Sequence, residues 1–255
     1  MTVKAKKHLG QHFLTDENIA RKIVDVLSYD NYKTVLEVGP GMGVLTKYLL
    51  EKDMQVFLAE IDTESIAYLK DNYEKVNDST FIGDFLKTDY SFANGEPLAV
   101  IGNYPYNISS QILFQVVDHY EQIPEMAGMF QKEVAERVAA VPRTKDYGIL
   151  SVLVQAYYDV KYMFTVHENV FNPPPKVKSG VIQLIRNPKE GLAGHEVLFK
   201  QIVKAGFNMR RKKMSNSLKP LGIPEHIIGH EFLDKRAEEL SVSDFINFTK
   251  QWKNL

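Results

Sequence analysis

Short unbroken apolar runs alternate with helical apolar spacings along most of this chain. Five runs read as buried strands: 34–38 (Val35, Leu36, Val38), 55–59, 80–83, 98–101 and 126–131. Their length and their flanking turn residues favour strand over helix. Between them lie helical patterns. The first carries Ile19, Ile23, Val24 and Leu27 behind a cap at Thr15 or Asp16; another carries Val44, Leu45, Tyr48 and Leu49; three more cover 65–73, 108–119 and 133–141. Strand and helix in alternation predict an α/β fold with a Rossmann-like sheet. An apolar helix at 149–157 and strands at 160–166 and 181–185 follow. Residues 187–194, with Pro188, Gly191 and Gly194, have linker composition. The expected domains are 1–188 and a small helical domain, 189–255.

The strand ends carry the candidate chemistry. Gly39-Pro40-Gly41-Met42-Gly43 joins the first strand to a helix, so backbone can approach a ligand closely. Glu60 closes the next strand, where an acid binds ribose hydroxyls. The loop is Gly-x-Gly-x-Gly with Val at 44, not the dinucleotide Gly-x-Gly-x-x-Gly. That spacing favours a nucleoside without a pyrophosphate, S-adenosylmethionine over NAD, and argues against an oxidoreductase. Asp84 ends the third run, where it can accept from a cofactor adenine N6; a solvated turn residue is the alternative. The fourth run delivers Asn103-Tyr104-Pro105-Tyr106. The Asn103 side-chain oxygen and the carbonyl of residue 104, held extended by Pro105, can converge on one amine, with Tyr106 as a stacking face. Phe171 precedes Pro173-Pro174-Pro175, a rigid segment suited to holding a ring or to making a stiff connector.

Charge and composition narrow the partners. The 255 residues carry a formal net charge of −1, so contact with nucleic acid must be local. Lys4, Lys6, Lys7 and His8 form one basic stretch. Lys204, Arg210, Arg211, Lys212, Lys213 and Lys219 form a second, with no acid among them. The chain has no cysteine, which excludes disulfides and thiolate sites and suits the cytoplasm. No apolar run reaches the ~18 residues that span a bilayer, and no membrane role is expected. His226 and His230 lack a third ligand, so no metal site is expected.

Five segments in order, 10–14 (GQHFL), 37–43 (EVGPGMG), 103–109 (NYPYNIS), 171–179 (FNPPPKVKS) and 207–218 (FNMRRKKMSNSL), closely resemble the ribosomal RNA adenine N6,N6-dimethyltransferases that act on the small subunit. The resemblance spans essentially the whole chain. It implies a class I methyltransferase fold with S-adenosylmethionine as cofactor, bound by His12, Leu14, Gly39, Glu60, Asp84 and Asn103. It implies a target-adenine clamp of Asn103, Tyr104 and Tyr106, with Phe171 as a second stacking ring. The substrate implied is a pair of adjacent adenosines in the 3′-terminal hairpin of small-subunit rRNA, dimethylated by a monomer in the cytoplasm. Macrolide-resistance methyltransferases share the first four segments and are an alternative; so is a non-catalytic ribosome-assembly factor. Position 12 is usually Asn in the family, and position 104 a smaller aliphatic.

Overall fold

A computed structural model describes residues 3–6, 9–187, 192 and 194–253. The elements in order are β1 (Phe13–Leu14), α1 (Glu17–Val24), β2 (Thr34–Val38), α2 (Thr46–Leu49), β3 (Gln55–Ala59), α3 (Thr63–Asn72), β4 (Leu98–Asn103), α4 (Ser109–Asp118), β5 (Glu125–Gln131), α5 (Lys132–Ala139), α6 (Ile149–Gln155), β6 (Tyr158–Val166), β7 (Phe171–Asn172), β8 (Ser179–Arg186), α7 (Glu196–Asn208), α8 (Met214–Ser217) and α9 (Val242–Trp252). Asp16 caps α1, its carboxylate accepting the Asn18 and Ile19 amides.

Six strands form one sheet in the order β3-β2-β4-β5-β8-β6. Strands β3, β2, β4 and β5 run parallel, and β8 is antiparallel to β5. Their apolar runs are buried on both faces, as parallel strands between helices must be: every residue of β2 is buried. The register decides where the site lies. Val38 pairs with Ala59 on one side and Gly102 on the other, and Gly102 pairs with Gly128. The chain therefore leaves β2, β3 and β4 along one edge, placing Gly39, Glu60 and Asn103 side by side. The run at 80–83 differs from expectation. It makes a single bridge, Phe81 to Leu58, after a short 3-10 turn (Asp78–Thr80), because Gly83 (φ +76°) and Asp84 turn the chain away.

The chain forms two compact units. The first comprises Met1–Ala135 and Val160–Arg186 and holds the sheet, packed on Leu45, Leu49, Ile101, Met129 and Val181. The second comprises Glu136–Asp159 and Asn187–Leu255. The boundary expected at 188/189 falls on residues outside those described, and 136–159, expected in the first domain, belongs to the second. The reason is packing. The Tyr147 hydroxyl donates to the Leu240 carbonyl at 2.9 Å, and its ring meets Phe207 edge-on; Phe232 stacks on Phe248 at 3.8 Å.

Candidate active site

Two cavities meet at the C-terminal edge of the parallel strands. One, of about 220 Å³, is lined by residues 9–13, Gly39, Gly41, Glu60, Ile61, Asp84, Leu86 and 103–108. The other, of about 690 Å³, is lined by Ala5, Gly10, Gln11, His12, Tyr106, Asn107, Gln131 and 173–177. Residues 10–12, Tyr106 and Asn107 face both.

The first cavity has the polarity of a nucleoside site. Glu60 is buried, and its Oε1 accepts the Ile61 and Asp62 amides, each at 2.9 Å. Its Oε2 takes only a long 3.3 Å bond from the Gly41 amide, so that oxygen retains acceptor capacity toward the cavity. Burial raises the Glu60 pKa, against the three amides that lower it. Gly41 has φ +56°, and a Cβ there would lie 2.8 Å from the Phe13 ring. The loop therefore lies directly against Phe13 of β1. Asp84 lines the same cavity and turns one carboxylate oxygen to the Leu86 amide. Below the loop, fully buried Glu37 accepts from the Thr46 hydroxyl at 2.6 Å, and burial pushes its pKa up to about 8.

Residues 9–12, the strap that leads into β1, are held from both sides. Lys6 pairs with Asp62, and the Gln11 amide donates to the same carboxylate at 3.1 Å. Strand β1 pairs with β7, Leu14 opposite Phe171. The pairing brings His12 Nδ1 to 2.8 Å from the Pro173 carbonyl, and since a carbonyl only accepts, Nδ1 carries the proton. The His12 ring stacks on Tyr106 with centroids 5.4 Å apart. Lys7 and His8 lie outside the described residues.

Asn103 closes the geometry. Its amide nitrogen donates to the His12 carbonyl at 2.8 Å, which leaves Oδ1 as the open acceptor. Tyr106 rests its hydroxyl on Ser179 Oγ at 2.5 Å, and burial raises its pKa. The side chain of Tyr104 is not in the clamp. It is 1% exposed, donates to the Ala127 carbonyl at 2.7 Å and stacks on Phe130. Gly102 and Gly128 make the slot for it, since a Cβ on either would lie within 3 Å of the ring. The larger residue at 104 is thus absorbed by the core, and only its backbone is available to a ligand.

Two expected site residues lie elsewhere. Phe171 is 4% exposed, packs in the core beneath the sheet and lines neither cavity. Pro173–Pro175, just beyond it, form the wall instead. Leu14 is also core, beside a small void of about 30 Å³ shared with Glu37, Gly39 and Asn103. Gln131 and Ser179 were missed by sequence reasoning. Gln131 ends β5 at the same sheet edge as Asn103, which was the available signal. Among the described residues no cluster could hold a metal ion, and no helix is long and apolar enough to cross a membrane.

The second basic stretch is not free of acids once folded. Arg210 pairs with Glu238 at 2.6 Å and donates to the Thr144 and Lys145 carbonyls; Lys213 pairs with Asp234 at 3.0 Å. Lys204, Arg211, Lys212 and Lys219 are exposed.

Comparison with known proteins places the chain in a family. The model of the ribosomal RNA adenine dimethylases matches residues 2–252. The chain belongs to that family. A Cytophaga hutchinsonii protein named ribosomal RNA small subunit methyltransferase A is 55% identical over 249 residues, covering 97% of this chain and 96% of its own. A protein of the same name from Flavobacterium johnsoniae is 54% identical, covering 98% and 96%. The crystal structure of a dimethyladenosine transferase from Plasmodium falciparum superposes with a TM-score of 0.78 at 25% identity, covering 96% of this chain and 99% of that one. The 23S rRNA methyltransferase ErmE, at 24% identity and a TM-score of 0.70 over 95% and 100% of the chains, shares the fold. The protein is therefore a methyltransferase of the Rossmann-like α/β class that uses S-adenosylmethionine.

Proposed function

We propose that this enzyme dimethylates the N6 amines of two adjacent adenosines in the 3′-terminal hairpin of small-subunit rRNA, as a monomer in the cytoplasm. The relatives at 50–55% identity, all named for the small subunit, support that RNA over the large-subunit alternative. The open acceptor on Asn103 carries the chemical reading, and it also argues against a purely structural assembly factor.

S-adenosylmethionine fits the first cavity: Glu60 Oε2 for the ribose hydroxyls, Asp84 for the adenine amine, and the Gly39–Gly41 backbone with the 10–12 strap around the rest. Leu14 contributes from the core side of the strap. Bound there, the cofactor supplies an activated methyl group on its sulfonium. The target adenosine is extruded from its stack into the second cavity, with its N6 turned to the junction with the first cavity, where Asn103 and Tyr104 lie. Adenine N6 is a poor nucleophile because its lone pair is delocalised into the ring. Asn103 Oδ1 and the Tyr104 carbonyl accept its two hydrogens, make the nitrogen more pyramidal and stabilise the charge growing on it. Alignment of that lone pair supplies much of the rate. Tyr106 offers the ring face on which the base rests; the second wall is prolyl, and Phe171 stiffens it from behind.

The test is incubation with labelled S-adenosylmethionine and, in separate reactions, small-subunit particles from cells lacking the modification and unmodified large-subunit rRNA. Primer-extension stops at the two adjacent adenosines support the proposal. Stops only in large-subunit rRNA, or no transfer, overturn it.

A further inference from the structure

The larger cavity holds more polar groups than a clamp on N6 uses. Most are committed to partners. Gln11 accepts the Lys6 amide on its oxygen and donates from its nitrogen to Asp62. His12 Nδ1 is spent on the Pro173 carbonyl and the Tyr106 hydroxyl on Ser179; at the rim, on the side of the first cavity, the Asn103 amide nitrogen is spent on the His12 carbonyl. Three side chains lining this cavity make no hydrogen bond among the described residues: Asn107, Lys176 and Gln131. The first two are exposed. Gln131 alone is half-buried and sits on a strand. Its backbone is paired to Ser179, the residue that holds Tyr106, and two residues earlier on the same face Met129 pairs with Asn103. Its amide is open to the cavity, and a base that displaced water from it would have to offer it a partner, since a polar group left unpaired once water is excluded is costly.

We propose that Gln131 reads the edge of the target base, donating an amide N–H to adenine N1. The inference rests on the second cavity being the target-adenine pocket. Beside N6, the Watson–Crick edge of adenine presents one acceptor, N1, and a clamp made of acceptors cannot satisfy it. Gln131 supplies the missing donor. The bond also bears on the second methylation. Methylation consumes an N6 hydrogen and with it one of the clamp's two hydrogen bonds, whereas N1 is unchanged. Gln131 therefore keeps its grip on the monomethylated base while the clamp weakens, which favours completion to the dimethyl product.

The test is an atom-for-atom cycle in single-turnover methylation of particles carrying adenosine or 1-deazaadenosine at the target, with N1 replaced by C–H. Beyond any change in the amine's own reactivity, wild type should lose about 5- to 150-fold on 1-deazaadenosine, the cost of leaving one donor in the site without its acceptor. Gln131→Met and Gln131→Glu, neither of which donates, should lose a similar factor on adenosine, accumulate monomethyladenosine and show a ratio of adenosine to 1-deazaadenosine rates smaller than the wild-type ratio by that factor. The altered reactivity of the 1-deaza amine enters both enzymes equally and cancels in the ratio. Unchanged cofactor affinity by calorimetry confirms that the variants are folded. Wild-type rates for either variant on adenosine, or penalties that multiply, would overturn the assignment of Gln131. Failure of wild type to methylate adenosine at all would instead remove the reading of the cavity on which it rests.

Discussion

The Asn103 side chain donates to the backbone carbonyl of His12 at 2.8 Å, across 91 residues of chain. That bond fixes which end of the amide stays open, and it ties the strap over the first cavity to the end of β4. Asn103→Asp keeps the shape and an acceptor but loses the donor, and sets a carboxylate against the His12 carbonyl. Its single-turnover rate is expected to fall at least tenfold despite the retained acceptor, and its affinity for S-adenosylmethionine should fall with it. Retention of both would mean that the amide orientation is not used.

Glu60 should control cofactor binding. Glu60→Ala is expected to weaken S-adenosylmethionine by about 1–3 kcal/mol through the loss of charged hydrogen bonds, read by calorimetry on a folded variant. Burial holds the Glu60 pKa above that of an ordinary carboxyl, and only the ionised form accepts with both oxygens. Affinity should therefore begin to fall, as pH is lowered, at a higher pH than for an exposed carboxylate.

Glu37 makes stability depend on pH. Its carboxyl titrates near 8 in the folded chain, against a reference of 4.5. Between those values the folded state holds a proton that the unfolded state has released. The stabilisation by this group is complete below about pH 4.5 and is lost as pH rises to about 8. Glu37→Gln, whose side-chain oxygen can still accept from Thr46, should flatten the fall of Tm between pH 5 and 8. Parallel Tm profiles for the two proteins would contradict this.

The two aromatic residues divide between chemistry and scaffold. Tyr106→Ala should abolish retention of the flipped base while cofactor binding stays normal. Tyr106→Phe should keep much of the activity, losing about 0.5–1.5 kcal/mol with the Ser179 bond. Phe171→Ala, in contrast, should cost about 3–5 kcal/mol of folding stability as a buried ring is removed, measured by denaturant unfolding.

The basic stretch should divide in the same way. Arg211→Gln with Lys212→Gln should weaken RNA binding and flatten log K against log salt by about 0.7–0.9 for each phosphate no longer neutralised. Arg210→Gln should instead lower stability by about 0.5–1.5 kcal/mol, because its partly exposed guanidinium holds Glu238 and two carbonyls.

The division between what sequence shows and what it hides follows from chain distance. Gly39, Glu60, Asp84 and Asn103 are legible because each ends a strand or its run, and parallel strands deliver their ends to one edge. Contacts made across the chain leave no local signal. Phe171 has the composition of a stacking ring, yet its pairing with Leu14 turns it into the core. Arg210 sits among bases in sequence, and only folding brings Glu238 to it. The break between units is blurred for the same reason: the helix at 149–157 follows the pattern of the sheet region but packs around Tyr147 with the C-terminal helices.

The most direct test of the central claim, that Asn103 activates an adenine N6 for transfer, is single-turnover methylation of unmodified small-subunit particles followed by nucleoside mass analysis. Wild type should yield N6,N6-dimethyladenosine. Asn103→Ala, saturated with both substrates, should form it more slowly by about 10²–10³, the loss typical of one preorganised polar group. A variant that methylates at the wild-type rate would contradict the account.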